Sequence, residues 1–200
     1  MTRPVPIVST LIVAAAAAAM IALGVWQLHR AEWKAGLIAR YSAAQAMSAN
    51  VPWPHDKAGL DDVLFRWSQF DCTKVLGIRT TAATSAAGDS GVAQVAHCQV
   101  RGGGEAEVAL GWSRPTQQLE WKGGRVSGIV GPGGTFGGML HASPPAPGLE
   151  PLAPPDPKDL PNNHLAYAGQ WFLFALTAVV IYILALRKRW RSDALKQPKA

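Results

Sequence analysis

The stretch PNNHLAYAGQWFLFALTAVVIYILALRKRWR, residues 161–191, decides the fold of this chain. Between Ala166 and Leu186 it carries no charged side chain, which is enough helix to cross a hydrocarbon core about 30 Å thick. A second uncharged run, PIVSTLIVAAAAAAMIALGVWQL, occupies residues 6–28. Because lipid offers no partners for backbone groups, both runs are predicted to be transmembrane α-helices, at residues 6–28 and 164–186.

The first run could instead be a signal peptide, since Arg3 precedes it and alanine is abundant. Its continuation ALGVWQLHRAEWK, residues 22–34, puts bulky and charged side chains where cleavage requires small ones. The run also exceeds the apolar core of a signal peptide, which is about 7–15 residues long. We therefore predict that it is retained as a membrane span.

Charge predicts the orientation of the two spans. Six basic residues and one acid follow Leu186, whereas residues 29–163 hold twelve of each sign. By the positive-inside rule, the basic tail at 187–200 is cytoplasmic, and two spans place the N-terminus on the same side. The neutral loop argues against nucleic-acid binding, because a binding surface needs its charge on the folded domain.

The cellular location follows from the same ends of the chain. An amphipathic, Arg- and Ser-rich presequence would be expected for a mitochondrial address, and the first span has none before it. We therefore predict a bacterial inner membrane, with the domain at residues 29–142 in the periplasm.

The loop domain is predicted to open with a juxtamembrane helix at 29–46, whose apolar stripe carries Trp33, Leu37 and Tyr41. A β-rich core follows at 50–140, with strands expected at KVLGIRTT, GVAQVAHCQV, AEVALGWS and GRVSGIVG. The fold class is thus two transmembrane helices that flank a small, mostly antiparallel α+β domain. Residues 143–163 are predicted to form a proline-rich strut that donates no hydrogen bonds to a sheet.

The two cysteines leave two alternatives open. If TSAAGDSG, residues 84–91, forms a hairpin tip, Cys72 and Cys98 lie on neighbouring strands, nearly opposite each other. A disulfide is then expected in an oxidising compartment, but two packed free thiols fit equally well. Their spacing matches neither a CxxC redox pair nor a zinc site.

Signatures of catalysis are missing from the loop. The sequence has no GxSxG motif, and the clusters RGGGE and GPGGTFGG lack the Gly-Lys-Ser/Thr of a phosphate-binding loop. His55, His97 and His141 are far apart and have no spaced acidic partners. The glycine clusters are expected to be turns, and we predict a protein that is not an enzyme.

The helix ends carry the candidate site. His29 closes the first span and His164 opens the second, so both imidazoles are expected near the periplasmic face. Such residues often anchor helices at the membrane interface. They could equally bind haem, which needs a nitrogen ligand, an apolar wall and a polar rim. The candidate haem-binding residues are His164 as axial ligand to the iron, Tyr167, Trp171, Trp26, His29 and Arg30, with Lys34 also at the rim.

Two stretches resemble one known family. LGVWQLHRAEWK at 23–34 and PNNHLAYAGQWFLFALTAVVIYILALRKR at 161–189 are similar to the two span signatures of the Surfeit locus protein family of cytochrome c oxidase assembly factors. The resemblance implies a role in inserting haem a into the catalytic subunit of the oxidase, with haem a synthase as a second partner. It places the histidine proposed to contact haem at His164, and it assigns no role to His29.

The middle of the chain departs from the family pattern. Family members commonly have an Asn-Arg-Gly-Trp-like segment, and here VALGWSRP keeps Gly111 and Trp112 but has Ala109 and Leu110 before them. The resemblance therefore implies no oxidase contact through that arginine, and the divergent loop is compatible with a different oxidase client. The alternative to a haem chaperone is a membrane scaffold that binds no haem and stabilises an assembly intermediate of the oxidase.

Overall fold

The computed structural model describes residues 6–47, 49–54, 56–114 and 119–195. His55, Arg3, Lys196 and Lys199, which entered the sequence argument, lie outside the described residues. The elements are α1 (Ile7–Gln45), β1 (Val51–Pro52), α2 (Lys57–Val63), β2 (Trp67–Thr84), β3 (Ser90–Val100), β4 (Glu105–Ser113), β5 (Gly124–Pro132), β6 (Gly138–Ala142) and α3 (His164–Leu195).

The chain divides into two compact units. One contains residues 1–37 and 161–200, and the other contains residues 38–160. In the first unit α1 and α3 each carry an apolar stretch long enough to cross a membrane, with mean hydropathy 2.3 and 2.0. The predicted layout of two apolar helices flanking a mostly antiparallel sheet domain is confirmed. α1 runs without a break through the predicted boundary at 28/29, and α3 continues past residue 186 to Leu195.

The sheet of the second unit closes into a barrel because β2 is long enough to have different neighbours along its length. Residues 67–72 of β2 pair with β5, and residues 72–84 pair with β3. Strand β3 pairs with β4, β4 with β6, and β6 with β5, which returns to β2. All of these pairings are antiparallel except β4 with β6. Each strand expected from the sequence lies within β2 to β5; barrel closure, β1, α2 and β6 were not predicted.

The proline-rich segment contributes to the sheet domain through its residues that are not proline. The amide of Trp112 donates to the Glu150 carbonyl at 2.7 Å, and the amide of Glu150 donates back at 3.0 Å. The amide of Ala146 donates to the Leu110 carbonyl. The expectation that this segment donates nothing to the sheet is therefore wrong. Gly111 permits the close approach, because a Cβ at this position would lie 2.7 Å from Leu149 Cβ.

Two side-chain links fasten the barrel. Cys72 and Cys98 form a disulfide between β2 and β3, which resolves the alternative that the sequence left open. The nearly buried carboxylate of Glu107 accepts hydrogen bonds from Arg79 Nη2 at 3.1 Å and from the Thr135 amide at 2.7 Å. Burial alone would raise the pKa of Glu107, but the hydrogen bonds from Thr135 and Arg79 outweigh it and lower the pKa. The cluster GPGGTFGG is thus a turn between β5 and β6, held by one carboxylate.

Barrel closure predicts a large difference between two glycines. A Cβ at Gly128 would overlap the His141 carbonyl oxygen of the neighbouring strand, whereas a Cβ at Gly77 would meet nothing within 4 Å. Gly128→Ala should lower the free energy of unfolding of the barrel by about 3 kcal/mol or abolish folding. Gly77→Ala should change it by less than about 0.5 kcal/mol. Urea denaturation of the detergent-solubilised chain measures both; equal effects would contradict the pairing of β5 with β6.

His141 predicts how stability depends on pH. Both ring nitrogens are inaccessible to solvent and lack a hydrogen-bond partner among the described residues. Burial lowers the pKa of His141 from 6.5 to about 4. As the pH falls below 6.5, the unfolded chain binds a proton that the folded chain does not, so stability decreases until the pH reaches about 4.

The loss assigned to His141 between about pH 7 and about pH 5 is about 2 kcal/mol. His141→Leu should remove this part of the pH dependence, while carboxylates such as Glu107 continue to titrate in both proteins. Urea denaturation at the two pH values measures the difference. Identical pH dependence in wild type and variant would show that the imidazole is not buried in its neutral form.

Candidate functional site

The candidate site is built on a seam between α1 and α3, which run antiparallel. On α1 the least exposed residues recur at alternating spacings of three and four, the pattern of helices that pack side by side. They are Thr10, Val13, Ala17, Met20, Gly24, Gln27, Ala31 and Lys34. Those of α3 include His164, Ala168, Trp171, Phe172, Ala175, Ala178 and Tyr182.

The closest approach along the seam is at Gly24. A Cβ at this position would lie 2.6 Å from the Phe172 ring, so the ring packs directly on the α1 backbone. Nearer the other end of the seam, the hydroxyls of Thr10 and Tyr182 share a hydrogen bond. These contacts fix the register of the helices and determine which α1 residue faces His164.

The α1 residue that faces His164 is Gln27. His164 Nδ1 lies 2.7 Å from Gln27 Oε1, and both side chains are half-buried. An amide oxygen can only accept a hydrogen bond, so with Oε1 on this side the contact requires the tautomer that has its proton on Nδ1 and its lone pair on Nε2. A histidine held in this way by a second residue has the form in which imidazole binds metal ions.

The predicted aromatic residues are distributed around this contact. Trp171 lies two helical turns along α3 on the same face as His164, is half-buried, and makes an edge-to-face contact with Phe174. Tyr167 and Trp26 are about half exposed, at 51% and 53%. Tyr167 and Trp26 thus lie on exposed helix faces, whereas Trp171 lies on the seam face of α3 together with His164.

The two remaining candidates are not brought to His164 by any contact in the described part of the chain. The Arg30 guanidinium stacks over the Trp33 ring at 4.5 Å. His29 is exposed, and its ring makes no hydrogen bond to a described residue. Gln27, which does contact His164, was absent from the predicted site. Its signals were a polar side chain within an apolar run and its place in LGVWQLHRAEWK, the stretch that resembles the family signature.

The described residues include no cluster of metal-ligating side chains. Within residues 6–47, 49–54, 56–114 and 119–195, no group of three or more His, Cys, Asp or Glu residues could hold a metal ion.

These features define a class of protein: a pair of apolar helices carrying a small β-barrel domain between them. The family model of the SURF1 family matches residues 14–176, which include most of the seam and the whole barrel, so the chain belongs to the SURF1 family. This family is associated with cytochrome c oxidase assembly. A comparison with curated protein sequences finds no significant match.

The seam predicts different outcomes at two glycines. Gly24→Ile would place a branched side chain where the Phe172 ring lies, and should weaken helix pairing by about 1–3 kcal/mol. Gly169→Ile is the matched control, because a Cβ at Gly169 meets nothing within 4 Å. A cysteine pair replacing Thr10 and Tyr182 reports pairing through its rate of oxidative cross-linking. Cross-linking should slow in Gly24→Ile alone, and equal rates in both variants would contradict this packing.

Proposed function

We propose that this protein is a non-enzymatic chaperone that binds haem a during cytochrome c oxidase assembly, with His164 Nε2 as the axial ligand to the iron. The observation that carries the proposal is the 2.7 Å contact between His164 Nδ1 and Gln27 Oε1. Haem a is the cargo in this proposal, and the catalytic subunit of the oxidase is its destination.

The contact supports the proposal by fixing the tautomer and orientation of the ring. Gln27 occupies one side of the imidazole, which leaves Nε2 as the nitrogen able to coordinate iron. A histidine that acts only as a helix cap or interfacial anchor does not need a side-chain partner on the opposite helix. The hydrogen bond also limits ring rotation, so less entropy is lost when a ligand binds.

The surroundings suit a flat, mostly apolar cofactor with an acidic edge. Trp26 and Tyr167 expose large aromatic surfaces, and Trp171 lies two turns along the same face of α3 as His164. A porphyrin ring needs such apolar contacts, and its propionates need cations or water. Arg30 stacks over the Trp33 ring and makes no described contact with His164. We therefore assign Arg30 and His29 a smaller share of haem binding than His164.

The proposed location is a bacterial inner membrane, with the barrel domain in the periplasm and both termini in the cytoplasm. The basic residues that follow Leu186 support this orientation through the positive-inside rule. The disulfide between Cys72 and Cys98 supports an oxidising compartment for the barrel. Large apolar side chains exposed on α1 and α3 are then lipid contacts or contacts with the oxidase subunit and haem a synthase.

His164→Ala should lose most of the bound haem a when the full chain is purified in detergent from cells that make this cofactor. Alanine preserves the helix, so insertion of α3 should be unchanged. Gln27→Leu should weaken haem binding about tenfold or more, the usual effect of removing the partner of a ligating histidine. Gln27→Glu keeps an acceptor for Nδ1 and should retain haem. Haem content and the Soret absorption band of each variant measure these effects.

His29→Ala is the matched control, since it removes an exposed imidazole at the end of the other predicted span. It should retain haem. Full haem occupancy in His164→Ala, together with normal maturation of the oxidase, would reject the ligand role. Haem would then be bound elsewhere on the chain. Wild-type protein that carries no haem while the oxidase matures normally would instead favour the alternative, a membrane scaffold that binds no haem and stabilises an oxidase assembly intermediate.

A further inference from the structure

A gap in the barrel domain arises where two strands share one edge of β2. Strand β1 pairs with Ser68 and Gln69 in parallel, and β3 pairs with β2 from Cys72 onward in the antiparallel direction. The opposite edge of β2 is occupied by β5 over the same residues. Between the end of β1 and the end of β3, residues 70–71 of β2 are paired with neither strand on this edge, and only the Arg101 amide, just beyond β3, reaches it by donating to the Asp71 carbonyl.

The gap is a cleft of about 480 Å³. Its apolar lining includes Trp53 and Phe70, whose rings contact each other at a centroid distance of 4.9 Å and are both buried. The polar lining includes Asp71, Arg101 and Arg125. The cleft thus joins the accessible edges of two largely buried rings to a pair of arginines, and its charged side chains carry a net charge of +1.

Asp71 holds the two arginines in place. Its two carboxylate oxygens each accept one hydrogen bond at 3.0 Å, from Arg101 Nε and from Arg125 Nε. The amide of Arg101 also donates to the Asp71 carbonyl. The hydrogen bond from Arg125 is the main cause that lowers the pKa of Asp71, so the carboxylate is charged at neutral pH.

Asp71 uses only the Nε donors. The terminal Nη groups of Arg101 and Arg125 make no hydrogen bond to any described residue, and both side chains are largely exposed, at 74% and 73%. A guanidinium with free Nη groups offers donors in the planar fork that fits a carboxylate. The ion pairs with Asp71 therefore leave the Nη donors of both arginines available to a ligand.

We propose that this cleft binds a small organic carboxylate, with its acid group on the Nη donors of Arg101 and Arg125 and its apolar part against Trp53 and Phe70. The volume falls in the usual range for small-molecule sites, about 300–1,000 Å³. A net charge of +1 matches one carboxylate better than a doubly charged phosphate. The aromatic surface selects for an acid with a flat apolar part.

The test uses the full chain in detergent and 3-phenylpropionate as the probe, with binding measured by isothermal titration calorimetry. Two reference ligands separate the contributions: 3-phenylpropionamide keeps the apolar part without the charge, and inorganic phosphate keeps charge without the apolar part. A short Asp- and Glu-rich peptide examines whether the arginines serve a protein partner instead. Saturable binding of the acid, at least tenfold tighter than that of each reference ligand and of the peptide, is the expected result.

Arg101→Gln and Arg125→Gln should each weaken binding of 3-phenylpropionate about tenfold, because each removes one set of Nη donors. Arg125→Lys keeps the charge but not the fork, and should also weaken binding. Lys74→Gln removes a positive charge from β2 outside the cleft lining, and should leave binding unchanged. Circular dichroism checks the fold of each variant, and if a glutamine variant fails to fold, Arg125→Lys still decides the question.

Any of four results would overturn the proposal. The first is no saturable binding of the acid, and the second is binding of the amide as tight as that of the acid. The third is tighter binding of the acidic peptide, which would assign the arginines to a protein interface. Unchanged affinity in folded Arg101→Gln and Arg125→Gln would show that the acid binds elsewhere.

Discussion

The candidate site depends on the close approach of α1 and α3 at Gly24. Because the Phe172 ring packs on the backbone at Gly24, the two helices have one register, and Gln27 then faces His164. A larger residue at position 24 would separate the helices and remove the partner that sets the tautomer of His164. Glycine at position 24 is thus required both for the packing of the helices and for the contact of Gln27 with the His164 imidazole.

The barrel rests on a separate constraint, the length of β2. This 18-residue strand pairs with β5 along its first part and with β3 along the rest, which closes the sheet. On the edge opposite β5, the first part of β2 is paired only with the short β1, at Ser68 and Gln69. Closure removes exposed strand edges, which otherwise promote aggregation. The same arrangement creates the cleft, because β1 pairs with β2 only as far as Gln69 and β3 pairs with it only from Cys72 onward. The arginines of the cleft therefore owe their position to topology rather than to any local motif.

The sequence alone predicted those features that depend on residues close together in the chain. Uncharged runs predicted both long helices, and short runs rich in β-branched residues between turn residues predicted strands within β2 to β5. The pairing of β2 with β5 joins residues such as Phe70 and Val126, which are far apart in the chain, and no local pattern reports it. His164 could be singled out at the start of a span, but Gln27 could not, because its role depends on the register of two helices. Arg30 was assigned to a propionate rim, yet it stacks on Trp33.

The central claim is that Gln27 holds the His164 ring with its proton on Nδ1 and its lone pair on Nε2. Nitrogen NMR of the haem-free protein with labelled histidine distinguishes the two neutral tautomers directly, and the spectrum of His164→Ala identifies the signal of His164. At alkaline pH the account predicts the Nδ1–H tautomer in the wild type and a mixture of tautomers in Gln27→Leu. An Nε2–H tautomer in the wild type, or a spectrum that Gln27→Leu leaves unchanged, would contradict it.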